Sequence, residues 1–561
     1  MRGARNAAGV VCAVALLAAG SADARSRGAT VGVYPSSTTI RSAGAIPGHA
    51  ASSVSLDLAI GGRDDAVISV SGAQRVQVSA PSLDAPLQLQ LRFAHYVSIG
   101  GSLVPDALLP WDGSARATEA ANQPLWLQVT APAGTAAGSY HGSVTVVADG
   151  AATAIPIAVK VFPVSLPAPN QVNGSLLTAF HVAAQSYGNK VNDLYDISGQ
   201  ASVPGLYRFL ASYRLSPSSW GYGAPNSRTG YTTDKRWWLD PIGEMTAAVG
   251  NRDFAAMSIP ISNNRTSPAN YIAGLSPNHP ESWCGYLQSV HQFWQGHDWL
   301  GSYPYLYGQD EPGLAGFKLV ARQAKVVHQC FPGGHVLVTG NPSTDNTFLW
   351  NGGSDDVDDW VVLANRYYGK YTVPALSRKG KSNADEKLKL IDQARKRGAT
   401  IWTYTYPGTK TPGFTASEPL SNPRVFFAWA ALENIRGVLY GEGTTTYTAG
   451  NPFDSLGKDG AFVLVYPGRD GPVPSARLEQ IRNGIEDWEI LDVVRQKHGA
   501  GAVRSLLGSL FSTTKTGVEL GCTVGCPVKT ATPFSWPTWS HDTTTPAKLE
   551  QLKAAALSAA S

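Results

Sequence analysis

Two carboxylates stand side by side at Asp310 and Glu311, followed at once by Pro312. Residues of this type at this spacing have a definite chemical use. Like charges held together disfavour double ionisation, so a close pair can keep one acid protonated near neutral pH. A protonated acid beside a charged one suits proton donation to a glycosidic oxygen. The competing reading is a solvated helix start, because acids favour helix N-termini. What separates the two is the element that carries the pair.

That element reads as a strand. Tyr303 to Gly308 is short, apolar and aromatic, and Pro312 stops it. It is the fourth of eight such segments. The others are Ser175 to His181, Ser218 to Tyr222, Ala255 to Ile261, His335 to Gly340, Trp360 to Arg366, Thr400 to Tyr406 and Gly437 to Glu442. Helical patterns separate several of them, as in Gly316 to Gln329, Ala384 to Arg397 and Pro423 to Asn434. Strands alternating with helices predict a (β/α)8 TIM barrel over residues 171–500, closed by a helix from Ser475 to Lys497. Such barrels gather function at the C-terminal ends of their strands. By that rule Asp310 and Glu311 are the catalytic candidates. Tyr307, Asn341, Tyr367, Trp402, Tyr404, Tyr440 and Glu442 are the substrate-binding candidates, with Arg366 and His181 behind them.

A retaining glycosidase ordinarily places two carboxylates about 5 Å apart across the anomeric carbon. The seventh strand, Thr400 to Tyr406, carries no acid to serve as the second. Two solutions remain. Glu442 at the eighth strand end could be the nucleophile, toward a glycan without an acetamido group. Alternatively, a 2-acetamido group on the substrate could attack the anomeric carbon itself. A third reading, from a different class, is a glycan-binding protein built on an inactive barrel.

Upstream, residues 30–165 follow another rhythm. Alternating runs such as Ser53 to Leu58, Leu87 to Leu91 and Leu125 to Val129 are separated by Gly-, Pro- and Ser-rich turns, which predicts an antiparallel β-sandwich. Its expected role is packing. Val164 to Asn170 is a stiff linker. Residues 501–561 form a Gly/Thr-rich appendage ending in an Ala-rich helix. The fold class expected is therefore multidomain, β followed by α/β.

Residues 1–24 read as a signal peptide: Arg2 and Arg5, an apolar run to Gly20, then Ala22-Asp23-Ala24. The expected product is exported to the periplasm or medium, with no membrane span. Its net charge, +4 for the whole chain, drops by one on processing, and the basic residues are scattered. Nucleic acid is therefore excluded as a partner, and an oligosaccharide or glycoconjugate is expected instead. Cys284, Cys330, Cys522 and Cys526 remain after processing. The last two suit a local disulfide, whereas Cys284 and Cys330 fall near opposite ends of neighbouring helices, which argues against their pairing. Cys-x3-Cys without nearby histidine makes no metal site, and no cofactor is expected.

Several segments together resemble glycoside hydrolase family 123 and its uncharacterised relatives. They are Asp310-Glu311-Pro312, Ile401-Trp402-Thr403-Tyr404, Gly437 to Tyr440, Asp459 to Gly468, the sandwich segment Pro132 to Gly142 and, most specific, Ala476 to Leu491. The resemblance covers most of residues 120–495. It implies a retaining β-N-acetylgalactosaminidase-like enzyme using substrate assistance. Glu311 would be its general acid/base, and Asp310 would hold and polarise the 2-acetamido group. One departure stands out: Gly441-Glu442-Gly443 occupies a stretch where the family pattern often continues with tryptophan. In the specific tail, Arg482 and Glu486 have helical i, i+4 spacing, which reads as structural.

Overall fold

The computed structural model describes residues 28–561 apart from 80, 170, 172–173, 219–252, 260–278, 297–300, 365–383, 407–411, 442, 448–449, 458–459, 515–535 and 539–543. The expected signal peptide, Cys522, Cys526, Arg366, Tyr367 and Glu442 lie outside the described residues.

The N-terminal region is a two-sheet β-structure. One sheet has the order β1 (Thr30–Pro35), β3 (Arg63–Ser71), β9 (Asn122–Thr130), β6 (Gln88–Ile99) and β7 (Ser102–Pro110). The other runs β2 (Val54–Ile60), β11 (Ala151–Ser165), β10 (Gly138–Ala148), β4 (Arg75–Val78) and β8 (Arg116–Ala117), with β5 (Ser82–Leu83) also on β10. Period-two burial is clearest in β11, where Ile155, Ile157, Val159 and Val161 point inward and Ala154, Pro156, Ala158 and Lys160 face water. The pairing is antiparallel except between β2 and β11, which run parallel.

A parallel sheet follows and nearly closes on itself. Its order is β12 (Leu177–Phe180), β18 (Gly437–Tyr440), β17 (Thr400–Tyr404), β16 (Asp359–Leu363), β15 (His335–Thr339), β14 (Tyr303–Gln309) and β13 (Ala256–Ser258). The complete eight-stranded barrel is not what the described residues form. Where the second strand was expected, one bridge joins Phe180 to Pro217, and the backbone of Phe180 bonds to Ser216 and Ser218. On its other side, the Ser216 hydroxyl accepts from the Ala256 N–H at 3.2 Å. A side chain thus does there what a ladder does elsewhere. Residues 219–222 of the expected strand lie outside the described residues.

The helices are α1 (Ala184–Tyr195), α2 (Gly199–Ser212), α3 (Cys284–Gly296), α4 (Leu314–Cys330), α5 (Ala384–Lys396), α6 (Asn422–Leu432), α7 (Ala476–Leu507) and α8 (Pro546–Ala560). Helix α4 buries Val320, Gln323, Ala324 and Val327, the spacing of one helical face. Cys284 and Cys330 are disulfide-bonded, contrary to expectation, with Cα atoms 5.2 Å apart. The reason is stagger. The 3₁₀ turn Pro280–Trp283 packs against the middle of α4, where Glu281 meets Arg322 at 2.7 Å. Helix α3 therefore starts beside the end of α4 rather than beside its beginning.

Helix α7 starts on the Ser475 cap, whose hydroxyl accepts from the Leu478 N–H, and is interrupted at Gly499, where φ is +81°. Its first seventeen residues are all buried. One side meets the sandwich: Arg477 pairs with Asp106 at 2.7 Å, Glu479 with Arg63 at 3.2 Å, and Asn483 donates to Asp65 at 3.1 Å. The other side meets the barrel: Arg214 pairs with Glu489 at 2.7 Å, and the Trp488 indole donates to the Ile435 carbonyl. Arg482 and Glu486 close the expected i, i+4 pair at 2.6 Å. A helix enclosed on all faces cannot be polar on one of them, so its charges are paired instead. Helix α8 joins the same seam through Lys553–Asp64 and Arg424–Glu550.

Candidate active site

In a regular strand, neighbouring residues point to opposite faces. On β14, Tyr303 and Tyr305 face the barrel interior with Tyr307 packed beside them, while Leu306 faces the helices. Continued alternation would send Asp310 outward. The strand does not continue regularly. Its pairing with β15 slips by one residue, Tyr307 opposite Leu337 and Gln309 opposite Val338, so Gly308 is an extra residue in a bulge. Gln309 thereby takes the outward phase of Val338, and Asp310 takes the inward phase of Thr339. Glycine suits the bulge, since a Cβ at 308 would stand 3.0 Å from Gln323 Oε1.

The next residue repeats the problem, and the backbone solves it differently. Glu311 has φ of +42°, the left-handed region that a non-glycine residue adopts only at a cost. The chain turns there, Pro312 and Gly313 follow, and α4 begins at Leu314. Bulge and left-handed residue together leave both carboxylates solvent-exposed at the C-terminal end of the barrel.

Their partners come from three strands. Tyr307 donates to Asp310 Oδ1 at 2.9 Å, and the Thr339 hydroxyl donates to the same oxygen at 2.9 Å. Among the described residues no donor meets Asp310 Oδ2. The Glu311 N–H donates to Thr339 Oγ1 at 2.5 Å. Tyr404 reaches from β17, three strands away, and donates to Glu311 Oε1. Burial first, and then the charge of Asp310, holds the Tyr307 hydroxyl well above the usual tyrosine range, so it stays a donor. Four residues expected at the site, Asp310, Glu311, Tyr307 and Tyr404, are thus brought together.

Two expected residues do not reach them. Trp402 is wholly buried below the acids, and its indole donates to Asp359 Oδ1 at 3.0 Å, beside Tyr303 at 2.8 Å. A Cβ on Gly437 would lie 2.0 Å from the Trp402 ring, so the ring fills the barrel core and cannot stack on a sugar. Burial first, and then the charge of Asp358, pushes the Asp359 carboxyl well above its usual range. Tyr440 occupies the outward phase of β18, against Phe180 and Phe414, with its hydroxyl on the Ala461 carbonyl at 2.7 Å. The strand-end rule selects depth and says nothing of facing; alternation from inward-facing Leu439 excludes Tyr440.

Asn341 lies half-buried two residues past β15, where its carbonyl accepts from Asn346 at 3.0 Å. His181 follows β12 with its side chain exposed, tied by backbone bonds to Tyr440 and Thr444. Thr339 escaped the sequence reading. Its signal was present, because it shares the inward phase of Leu337 at the last residue of β15. Among the described residues no group of histidine, cysteine and carboxylate side chains could hold a metal ion.

A sandwich followed by a barrel-like parallel sheet, with two acids at the end of one strand, is an architecture in which a glycoside hydrolase can be built. The particular family follows from comparison. Residues 237–494 match the catalytic domain of glycoside hydrolase 123, which supports glycosidase activity for this chain. A family 123 glycoside hydrolase from Clostridium perfringens, described for its glycolipid glycan hydrolysis, has a similar structure. The TM-score is 0.65 at 13% identity, over 95% of this chain and 99% of that one. At this identity the likeness speaks for the fold. An α-galactosidase-like protein from Bacteroides fragilis aligns over 78% of this chain and 77% of its own, at 8% identity and a TM-score of 0.29, too low to support an argument. No curated protein sequence matches the chain.

Proposed function

We propose that this glycosidase cleaves β-linked 2-acetamido sugars with retention, using the substrate's own acetamido group as nucleophile. The observation that supports the reading most is the division of labour at the acid pair. Asp310 Oδ1 is occupied by two hydroxyl donors, which leaves Oδ2 to accept the acetamido N–H. Glu311 is held by a different strand through Tyr404. In the first step the acetamido oxygen attacks the anomeric carbon, the glycosidic C–O bond breaks, and the Glu311 proton passes to the leaving oxygen. Asp310 holds the N–H of the resulting oxazolinium. Water then attacks the anomeric carbon, the bond from that carbon to the acetamido oxygen breaks to restore the acetamido group, and Glu311 takes the water's proton. β-N-Acetylgalactosaminides are the preferred substrates under this reading. Export is proposed with it, on the apolar leader of residues 1–24 and on the Cys284–Cys330 bond, which suits an oxidising compartment.

Turnover of aryl β-N-acetylgalactosaminide is the test. Glu311→Gln is expected to lose roughly 10²–10⁴-fold in kcat, as for removal of a general acid, and Asp310→Asn to be crippled as well. A thiazoline that mimics the oxazoline is expected to inhibit. Near-full activity in either variant would sink the assignment. Labelling of Glu442 by an activated 2-fluoro glycoside would replace substrate assistance with a protein nucleophile.

A further inference from the structure

Thr339 makes contact with both halves of the acid pair. Its Oγ1 accepts the Glu311 N–H at 2.5 Å and donates to Asp310 Oδ1 at 2.9 Å. A hydroxyl carries one proton and two acceptor sites. The Tyr307 hydroxyl also lies 3.4 Å from Thr339 Oγ1, yet it has the shorter approach to Asp310 at 2.9 Å. Tyr307 therefore spends its single proton on the carboxylate. With a backbone N–H arriving at Thr339 Oγ1, the threonine proton is directed away from that side and onto Asp310.

The Glu311 N–H needs this partner. The left-handed turn at Glu311 takes its N–H out of the β14–β15 ladder, whose last pair is Gln309 with Val338. A backbone donor without an acceptor would favour relaxation of the turn. Relaxation would return Glu311 to the extended alternation and carry its carboxylate away from Asp310. Thr339 is itself firmly placed. It is 1% exposed, it pairs with Val361 on β16, and its β-branch restricts the side chain at χ1.

We infer that Thr339 is a positioning residue for catalysis: its one hydroxyl fixes the rotation of Asp310 and the backbone turn of Glu311 together, and so sets the relative placement of the two carboxylates. The inference rests on the proposed use of Asp310 and Glu311 as the catalytic pair. Its effect is expected on the rate more than on binding, because Thr339 acts only through the two carboxylates.

The test compares Thr339→Ser, Thr339→Ala and Thr339→Val with the parent enzyme on an aryl β-N-acetylgalactosaminide. Serine and alanine differ by the single oxygen in question. Valine keeps the shape of threonine without the hydroxyl. A circular-dichroism melt within ~3 °C of the parent identifies the folded variants. The alanine and valine variants are expected to lose kcat by at least ~30-fold with KM within ~3-fold, the pattern of an interaction that matters in the transition state. Serine is expected to stay within ~5-fold of the parent, its looser rotamer accounting for the remainder. Alanine or valine within twofold of the parent overturns the inference, and so does serine as impaired as alanine. If Glu311→Gln is inactive while Thr339→Val is fully active, only the positioning role falls. If Glu311→Gln stays active, the reading of the acid pair itself falls, and this inference with it.

Discussion

Replacing Tyr404 by phenylalanine removes one oxygen from the wall facing the acid pair. That oxygen donates to Glu311 Oε1. Hydrogen bonds to charged groups contribute roughly 1.5–3 kcal/mol, and the exposed mouth of the barrel lets water replace part of that, so about 1–2 kcal/mol is expected here. In the proposed mechanism negative charge develops on Glu311 as a proton passes to the glycosidic oxygen. The loss therefore falls on the transition state, about 5–30-fold in kcat with KM nearly unchanged. The assay is a series of aryl β-N-acetylgalactosaminides of graded leaving-group acidity. A nitrophenolate-type leaving group needs little protonation, so the penalty should shrink to below about twofold, whereas a weakly acidic phenol should show the whole effect. A penalty that is the same across the series, or one confined to KM, would refute the reasoning and make Tyr404 a substrate-packing residue.

Two further predictions concern the seam between sandwich and barrel. Glu479 accepts from Gln128 and Tyr213, forms an ion pair with Arg63 at 3.2 Å, and is fully buried. Glu479→Gln leaves the Arg63 guanidinium without its facing charge, at a cost on the order of 3–5 kcal/mol; denaturant unfolding should show it, and a change under ~1 kcal/mol would refute the seam's role in stability. Burial pushes the carboxyls of Asp65 and Glu489 up to about 7, in the second case despite Arg214. Their folded forms keep a proton that the unfolded chain releases above pH ~4. That stabilisation is complete below the unfolded values and is lost as pH rises through about 7. His95 beside Glu119 and His328 beside Asp358 are raised and act in the same direction, while buried His335 opposes them below its ordinary value. The melting temperature should fall by about 2 °C between pH 6 and 8; a flat or rising profile would refute the upward shift of these buried carboxyls.

What the sequence reveals follows from how local each signal is. Helices α4, α5 and α6 show in the apolar spacing of their own residues, and the strands around Leu337, Val361 and Ile401 show as short apolar runs bounded by turns. The sandwich shows through strict alternation, as in β11. Non-local facts are hidden. The link from Ser216 to the Ala256 backbone depends on a side chain, and the Cys284–Cys330 bond on the axial stagger of two helices. Trp402 was legible as a strand-end aromatic, but its depth is set by Gly437 on the neighbouring strand, which leaves the space that the indole fills.

The acid pair shows the same division within four residues. Asp310 and Glu311 are obvious as a pair, yet a regular strand would point them in opposite directions, and the pairing alone does not say how they could work together. Joint action requires two irregularities in succession: a one-residue slip that turns Asp310 inward, and a left-handed residue that turns Glu311 back. The first leaves a trace in the sequence at Gly308, where a side chain would crowd Gln323. The second leaves none at Glu311 itself, because the residue that must adopt the strained backbone is also the one that must carry the carboxylate. Glycine would suit the turn and lose the acid. The compensation therefore has to come from outside the motif, and the group in place to supply it is the Thr339 hydroxyl on the next strand.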